Sequence, residues 1–97
     1  MNESNVNLSS TWTYLTNHFH VLLVLYKDPD ARIRDMADQV GITERAVQKI
    51  LAELTETKVI SSEKVGRRNT YTIDESVHLK HPLENKHSVG ELLKILT

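Results

Sequence analysis

Cysteine is missing from the 97 residues, so disulfides, thiol catalysis and thiolate metal sites are excluded and packing must hold the fold. Glycine is scarce: Gly41, Gly66 and Gly90 are the whole supply. The sequence has no phosphate-cradling loop, no nucleophile elbow and no clustered carboxylates beside a candidate base, so an enzyme is not expected and no cofactor is called for. No apolar run approaches the roughly 20 residues that cross a bilayer. Met1 to Asn7 is polar, without a signal-peptide core, and the expectation is a cytoplasmic protein with no membrane partner. An excess of positive charge is lacking too. Lys and Arg number 12 against 13 Asp and Glu, a net charge of −1, so any surface for nucleic acid has to come from how charge is distributed.

What is present is ordinary for a folded chain. Hydrophobic residues at 39% and charged residues at 26% argue against disorder. The length allows one domain with a limited core, for which dimerisation is a natural route to further stability.

Leu15, Phe19, Leu22, Leu23 and Tyr26 recur at helical spacing, with Thr13 or Thr16 available as a cap and Asp28-Pro29 as a stop. They define a first helix. A short strand at Arg32 and Ile33 precedes Met36, Ala37 and Val40, which share one face of a short second helix. Gly41 suits a left-handed helix end, and Thr43 caps a third helix with Glu44 well placed at its positive end. Val47, Ile50, Leu51 and Leu54 follow the i, i+3, i+4, i+7 pattern, which turns Arg45, Gln48, Lys49 and Ala52 outward. Beyond Thr57 the chain becomes β-like: Val59 and Ile60, a polar tip from Lys64 to Asn69, then Thr70 to Ile73. Asp74 to Lys86, with Pro82, reads as a surface loop. Ser88 and Glu91 form a capping box that opens a short final helix, with Val89, Leu92, Leu93 and Leu96 on one stripe.

Three helices followed by a hairpin, with a tight turn between the second and third, is the order of a winged helix-turn-helix. The expected fold is α+β, mainly α: a three-helix core, a β-hairpin wing and a short C-terminal helix. The start of the third helix carries Thr43, Arg45, Gln48 and Lys49, in the half that enters a major groove in this architecture. Arg can hold guanine and Gln adenine through two hydrogen bonds each, while Thr can donate to phosphate or touch a thymine methyl. Lys49 suits a phosphate. An ordinary solvated helix face would carry similar residues, and the tip adds weight: Arg67 and Arg68 gain little from folding there but can straddle a phosphate backbone or probe a minor groove. The arrangement requires Asp28, Asp30, Asp35, Asp38, Glu53 and Glu56 to face away from DNA.

Four stretches carry a resemblance: Leu15-Thr16-Asn17-His18-Phe19-His20-Val21-Leu22-Leu23, Arg34-Asp35-Met36-Ala37, Val40-Gly41-Ile42-Thr43-Glu44-Arg45-Ala46-Val47-Gln48 and Val65-Gly66-Arg67-Arg68-Asn69. Through them the chain from Thr11 to Thr97 resembles small MarR-like winged helix-turn-helix regulators of bacteria and archaea. The resemblance implies double-stranded DNA as partner and a recognition helix that starts over Thr43 to Lys49, Glu44 and Ala46 included. It places Arg67 and Arg68 in the wing, where Lys64 and Asn69 flank them. Such proteins often have glycine where Lys58 stands. Larger members have long flanking helices that dimerise and shape an effector pocket, whereas both flanks here are short.

The stripe Val89, Leu92, Leu93 and Leu96 lies on a helix too short to be stable alone, and Val21, Val24 and Leu25 extend the apolar surface of the first helix beyond one face. Both sets are expected in the seam of a homodimer, which would present two recognition helices about 34 Å apart to a near-palindromic site. In this scheme residues 1–10 are a flexible segment, 11–75 the DNA-binding domain, and 76–97 a loop and short helix that dimerise. None of His18, His20, His78 and His81 has the i, i+4 spacing of a compact ligand pair, so no metal site is assigned, and His87 is likewise given no role. Two other readings stay open. One is a protein-interaction winged helix without DNA binding, against which the paired wing arginines count. The other is a switch in which an unknown small molecule alters the spacing of the recognition helices.

Overall fold

The computed structural model describes residues 12–97; the segment 1–10, expected to be flexible, lies outside the described residues. The elements run α1 (Asn17–Lys27), α2 (Ile33–Val40), α3 (Glu44–Glu56), β1 (Ile60–Val65), β2 (Arg68–Ile73) and α4 (Val89–Leu96). This is the winged helix-turn-helix order, mainly helical with one antiparallel hairpin.

Helix α1 starts with Thr16 at the N-cap, but the threonine side chain makes no capping bond, and Thr13 donates instead to the Leu15 carbonyl at 2.7 Å. Pro29 follows the helix end at Asp28, as the stop signal requires. The short strand expected at Arg32 and Ile33 does not form. Arg32 is the extended N-cap of α2 and Ile33 its first helical residue, so the chain turns into a helix before a ladder can develop. One backbone bond, from the Tyr71 N–H to the Pro29 carbonyl at 3.0 Å, ties this connection to β2.

Two helices end on a left-handed residue. Gly41, with φ of 87°, closes α2, where the absence of a Cβ makes the conformation free of strain. Lys58, with φ of 65°, does the same after α3. The Val59 N–H reaches the Leu54 carbonyl at 2.9 Å and the Lys58 N–H that of Thr55 at 3.0 Å, the bond pair of a Schellman motif. The position that holds glycine in similar proteins thus keeps its geometry here with a lysine in it.

The hairpin is tighter than a polar tip from Lys64 to Asn69. Lys64 pairs with Asn69 and Val65 with Arg68, so only Gly66 and Arg67 lie in the turn. Gly66 has φ of 66° and Arg67 is not left-handed, the pattern of a type II′ turn whose twist suits the strands.

Residues 74–88 form a compact loop. Asp74 accepts from the Ser76 hydroxyl and N–H, successive turns join His81, Glu84 and His87, and a bridge pairs His78 with Ser88. The loop delivers Ser88 to the N-cap of α4, where the expected capping box with Glu91 is complete. Gly90 lies flat on Glu75: a Cβ there would come within 2.6 Å of the Glu75 Cβ.

One core joins all of this. Phe19, Leu22, Val47, Ile50, Leu51, Leu54 and Tyr71 are buried together with Val21, Val24, Leu25, Val89 and Leu93. These last five correct the expected dimer seam. α1 packs against α2, α3, β2 and α4, so the residues expected to reach a partner are already covered by the chain's own elements. Of the expected set, Leu92 is half-buried and Leu96 exposed.

Candidate nucleic-acid interface

Helix α3 is placed by a tight turn. After Gly41 the chain runs through half-buried Ile42 to Thr43, whose hydroxyl oxygen accepts from the Ala46 N–H at 3.0 Å. That satisfies one of the free N–H groups at the helix start and leaves the hydroxyl proton free to donate outward. Val47, Ile50, Leu51 and Leu54 anchor the inner face. The opposite face exposes Glu44, Arg45, Gln48, Lys49 and Ala52, with Ala46 half-buried beside them. Among the described residues, Arg45, Gln48 and Lys49 take part in no side-chain hydrogen bond or ion pair, so their donors are available to a ligand.

The wing is organised differently. Opposed residues of a hairpin share a face, which puts Lys64 and Asn69 on one side and Val65 and Arg68 on the other. Arg67 sits in the turn. Arg68 does not project beside it: an Nη2–H donates to the Asp30 carbonyl, while the Thr70 hydroxyl donates to the Asp30 carboxylate at 2.8 Å. The adjacent arginines expected to act as one tip therefore divide, one free in the turn and one fastened to the connection between α1 and α2.

The acidic residues are only partly segregated. Glu53 is turned to His18 on α1, with Oε1 2.7 Å from Nε2. Asp28 caps the Asp30 N–H at 3.2 Å. Asp30, however, stands at the root of the wing against Arg68 and Thr70, and does not face away from the cationic surface.

Arg32 escaped the sequence reading. It lines the same cleft as Arg67, Arg68 and Asn69, although 35 residues separate it from Arg67; no local pattern marks it, because the cleft exists only once β2 lies along the α1–α2 connection. The histidines each find a local partner: His18 with Glu53, His20 with Asn17, His78 with the Asn85 carbonyl, His81 with the Leu83 N–H and His87 with Glu91. Among the described residues no group of three His, Asp or Glu side chains is arranged to hold a metal.

The three-helix part of the chain, with Arg45, Gln48 and Lys49 exposed on its third helix, is matched by the family model described as winged helix-turn-helix DNA-binding over residues 14–61. The chain carries a winged helix-turn-helix domain. Among solved structures, a ZitR variant of Lactococcus lactis in complex with DNA matches with a TM-score of 0.55 and 22% identity, over 73% of this chain and 50% of that one. MepR, a transcription regulator of the Staphylococcus aureus multidrug efflux pump MepA, matches with a TM-score of 0.57 and 19% identity, over 84% and 56%. T. potens IscR matches at 0.56 and 10%, over 92% and 91%. No curated protein matches in sequence. The chain thus spans about half the length of the ZitR structure it resembles, and no helix among its described residues is long and apolar enough to cross a membrane.

Proposed function

We propose that this chain is a MarR-like regulator that binds double-stranded DNA sequence-specifically as a homodimer and regulates transcription. In this reading α3 enters the major groove with Thr43, Arg45 and Gln48 toward base edges and Lys49 toward a phosphate. The wing follows the backbone or minor groove with Lys64, Arg67, Arg68 and Asn69. The observation that carries the reading is the unpartnered set Arg45, Gln48 and Lys49 on the second helix of the helix-turn-helix. That face is not needed for folding, yet it offers donors suited to base edges and phosphates.

The dimer rests on where apolar surface remains. Among the described residues the large exposed hydrophobics are Trp12, Tyr14, Val65, Leu83, Ile95 and Leu96. All but Val65 belong to the approach to α1, the 74–88 loop or α4. Leu83 is 91% exposed and Ile95 77%, and both line a groove of about 490 Å³ with Leu15 and Leu92. Clustered apolar exposure of this kind marks an interaction face, which reassigns the seam from the core of α1 to the outer side of α4. Residues 12–75 would then read DNA and 76–97 join the copies.

The test is binding of a fluorescent random-sequence duplex, followed by anisotropy over a salt series, for wild type and for Arg45→Ala with Lys49→Ala. Wild-type binding is expected to weaken steeply with salt, and the slope in the variant to be shallower by about 0.9 for each phosphate it no longer neutralises. A folded wild type that fails to bind at low salt would refute the reading.

A further inference from the structure

Three arginines from two distant parts of the chain meet in one cleft. Arg32 at the start of α2, Arg67 in the wing turn and Arg68 in β2 line it with Asn69, Tyr71 and Asp30, around a volume of about 230 Å³. Like charges brought together destabilise a fold unless something offsets them. The single carboxylate present is already engaged, because Asp30 Oδ1 accepts from the Thr70 hydroxyl at 2.8 Å. Arg68 is held to the cleft wall through the Asp30 carbonyl, a bond that uses one of the five N–H donors of its guanidinium. Arg32 and Arg67 have no hydrogen-bond or ion-pair partner among the described residues. The cleft therefore has an excess of two positive charges and unused planar donors on three guanidinium groups.

We propose that this cleft seats a single phosphodiester of the DNA backbone, held jointly by Arg32, Arg67 and Arg68. The inference rests on the DNA-binding reading and deepens it. Guanidinium forks match phosphate oxygens two at a time, and the open, small volume has room for a phosphate with its waters. Arg32 extends from the helix-turn-helix and the other two arginines from the wing, so one phosphate between them would fix the angle at which the wing meets the duplex while α3 lies in the groove. Asp30 then acts as a positioning residue: its carbonyl presets Arg68, and the Thr70 hydroxyl holds its carboxylate.

The experiment compares salt-dependent duplex binding of wild type, Arg32→Gln and the triple variant Arg32→Gln with Arg67→Gln and Arg68→Gln, each first shown to be folded by circular dichroism. Arg32→Gln alone is expected to weaken binding about tenfold at low salt, the loss of a hydrogen bond to a charged group. The slope of log K against log salt should fall by about 0.9 in the triple variant, the value for one phosphate. A fall near 2.7 would mean three separate phosphates and overturn the shared seat. Unchanged binding in Arg32→Gln, with wild type binding normally, would overturn the cleft while leaving the DNA reading intact. Absence of wild-type binding would refute both. Inorganic phosphate supplies the control for source: if it shifts the Arg32, Arg67 and Arg68 side-chain NMR signals while Arg32→Gln binds duplex like wild type, the cleft takes a free anion and not the backbone.

Discussion

Both α1 and α4 carry more apolar residues than the usual single stripe, and they meet opposite fates. α1 crosses the middle of the molecule and touches α2, α3, β2 and α4, so Val21 and Leu25 keep 0% and 1% of their exposure. Among the described residues, α4 touches only one other helix or strand, α1. It buries Val89 and Leu93, while Ile95 and Leu96 stay 77% and 45% exposed. Residue type does not separate the two helices; the number of neighbours does. An apolar side chain becomes core wherever the chain returns over it, and is available to a partner only where the chain does not.

The sharpest way to break this comparison is Leu25→Ala. A fully buried leucine truncated in a packed core costs about 2–5 kcal/mol, a large part of the roughly 5–15 kcal/mol that holds a domain. Denaturant unfolding is expected to show that loss equally at every protein concentration. A loss that depends on concentration would instead put Leu25 in a seam between copies.

Ile95→Glu tests the other helix. The side chain has little packed against it within the chain, so monomer stability should move by no more than about 0.5 kcal/mol. A glutamate buried against a partner would remain without an ion pair. Light scattering is therefore expected to give a dimer for wild type and a monomer for Ile95→Glu. Equal masses for the two proteins would remove the outer face of α4 as the seam.

This pair of helices also marks where the sequence is legible. Element order, the Gly41 turn, the Thr43 cap, the Ser88–Glu91 box and the amphipathic α3 all follow from local chemistry, and each is in place. The α1 residues are misread because periodicity reports that a side chain wants cover without naming what supplies it; β2 and α4, which help to cover α1, lie more than 40 residues away. The same limit applies to the candidate site. Arg45, Gln48 and Lys49 are legible because a helix face repeats, whereas the division between Arg67 and Arg68 depends on a two-residue turn and on Asp30. The contribution of Arg32 depends on tertiary contact alone.

The smallest effect separates the helices by pH. Glu91 is held below the ordinary carboxylate range first by the Ser88 backbone N–H, which donates to Oε1 at 2.7 Å, and then by the nearby His87. A folded-state value below the unfolded 4.5 gives stability that is fully present above pH 4.5 and is lost as pH falls through the folded value. Asp74 is lowered in the same sense, first by the Ser76 hydroxyl and then by its N–H, so the turn that opens the 74–88 loop weakens in the same direction. α1 has no acidic residue in its first turn and no side-chain cap, and so lacks an equivalent. Amide exchange across Val89 to Leu93 is therefore expected to quicken on acidification before exchange across Val21 to Leu25 does. Glu91→Gln keeps an oxygen to accept the Ser88 N–H but cannot titrate, and should flatten most of that early response. If the Gln variant quickens as wild type does, acid acts elsewhere, and α4 is looser than its capping box implies.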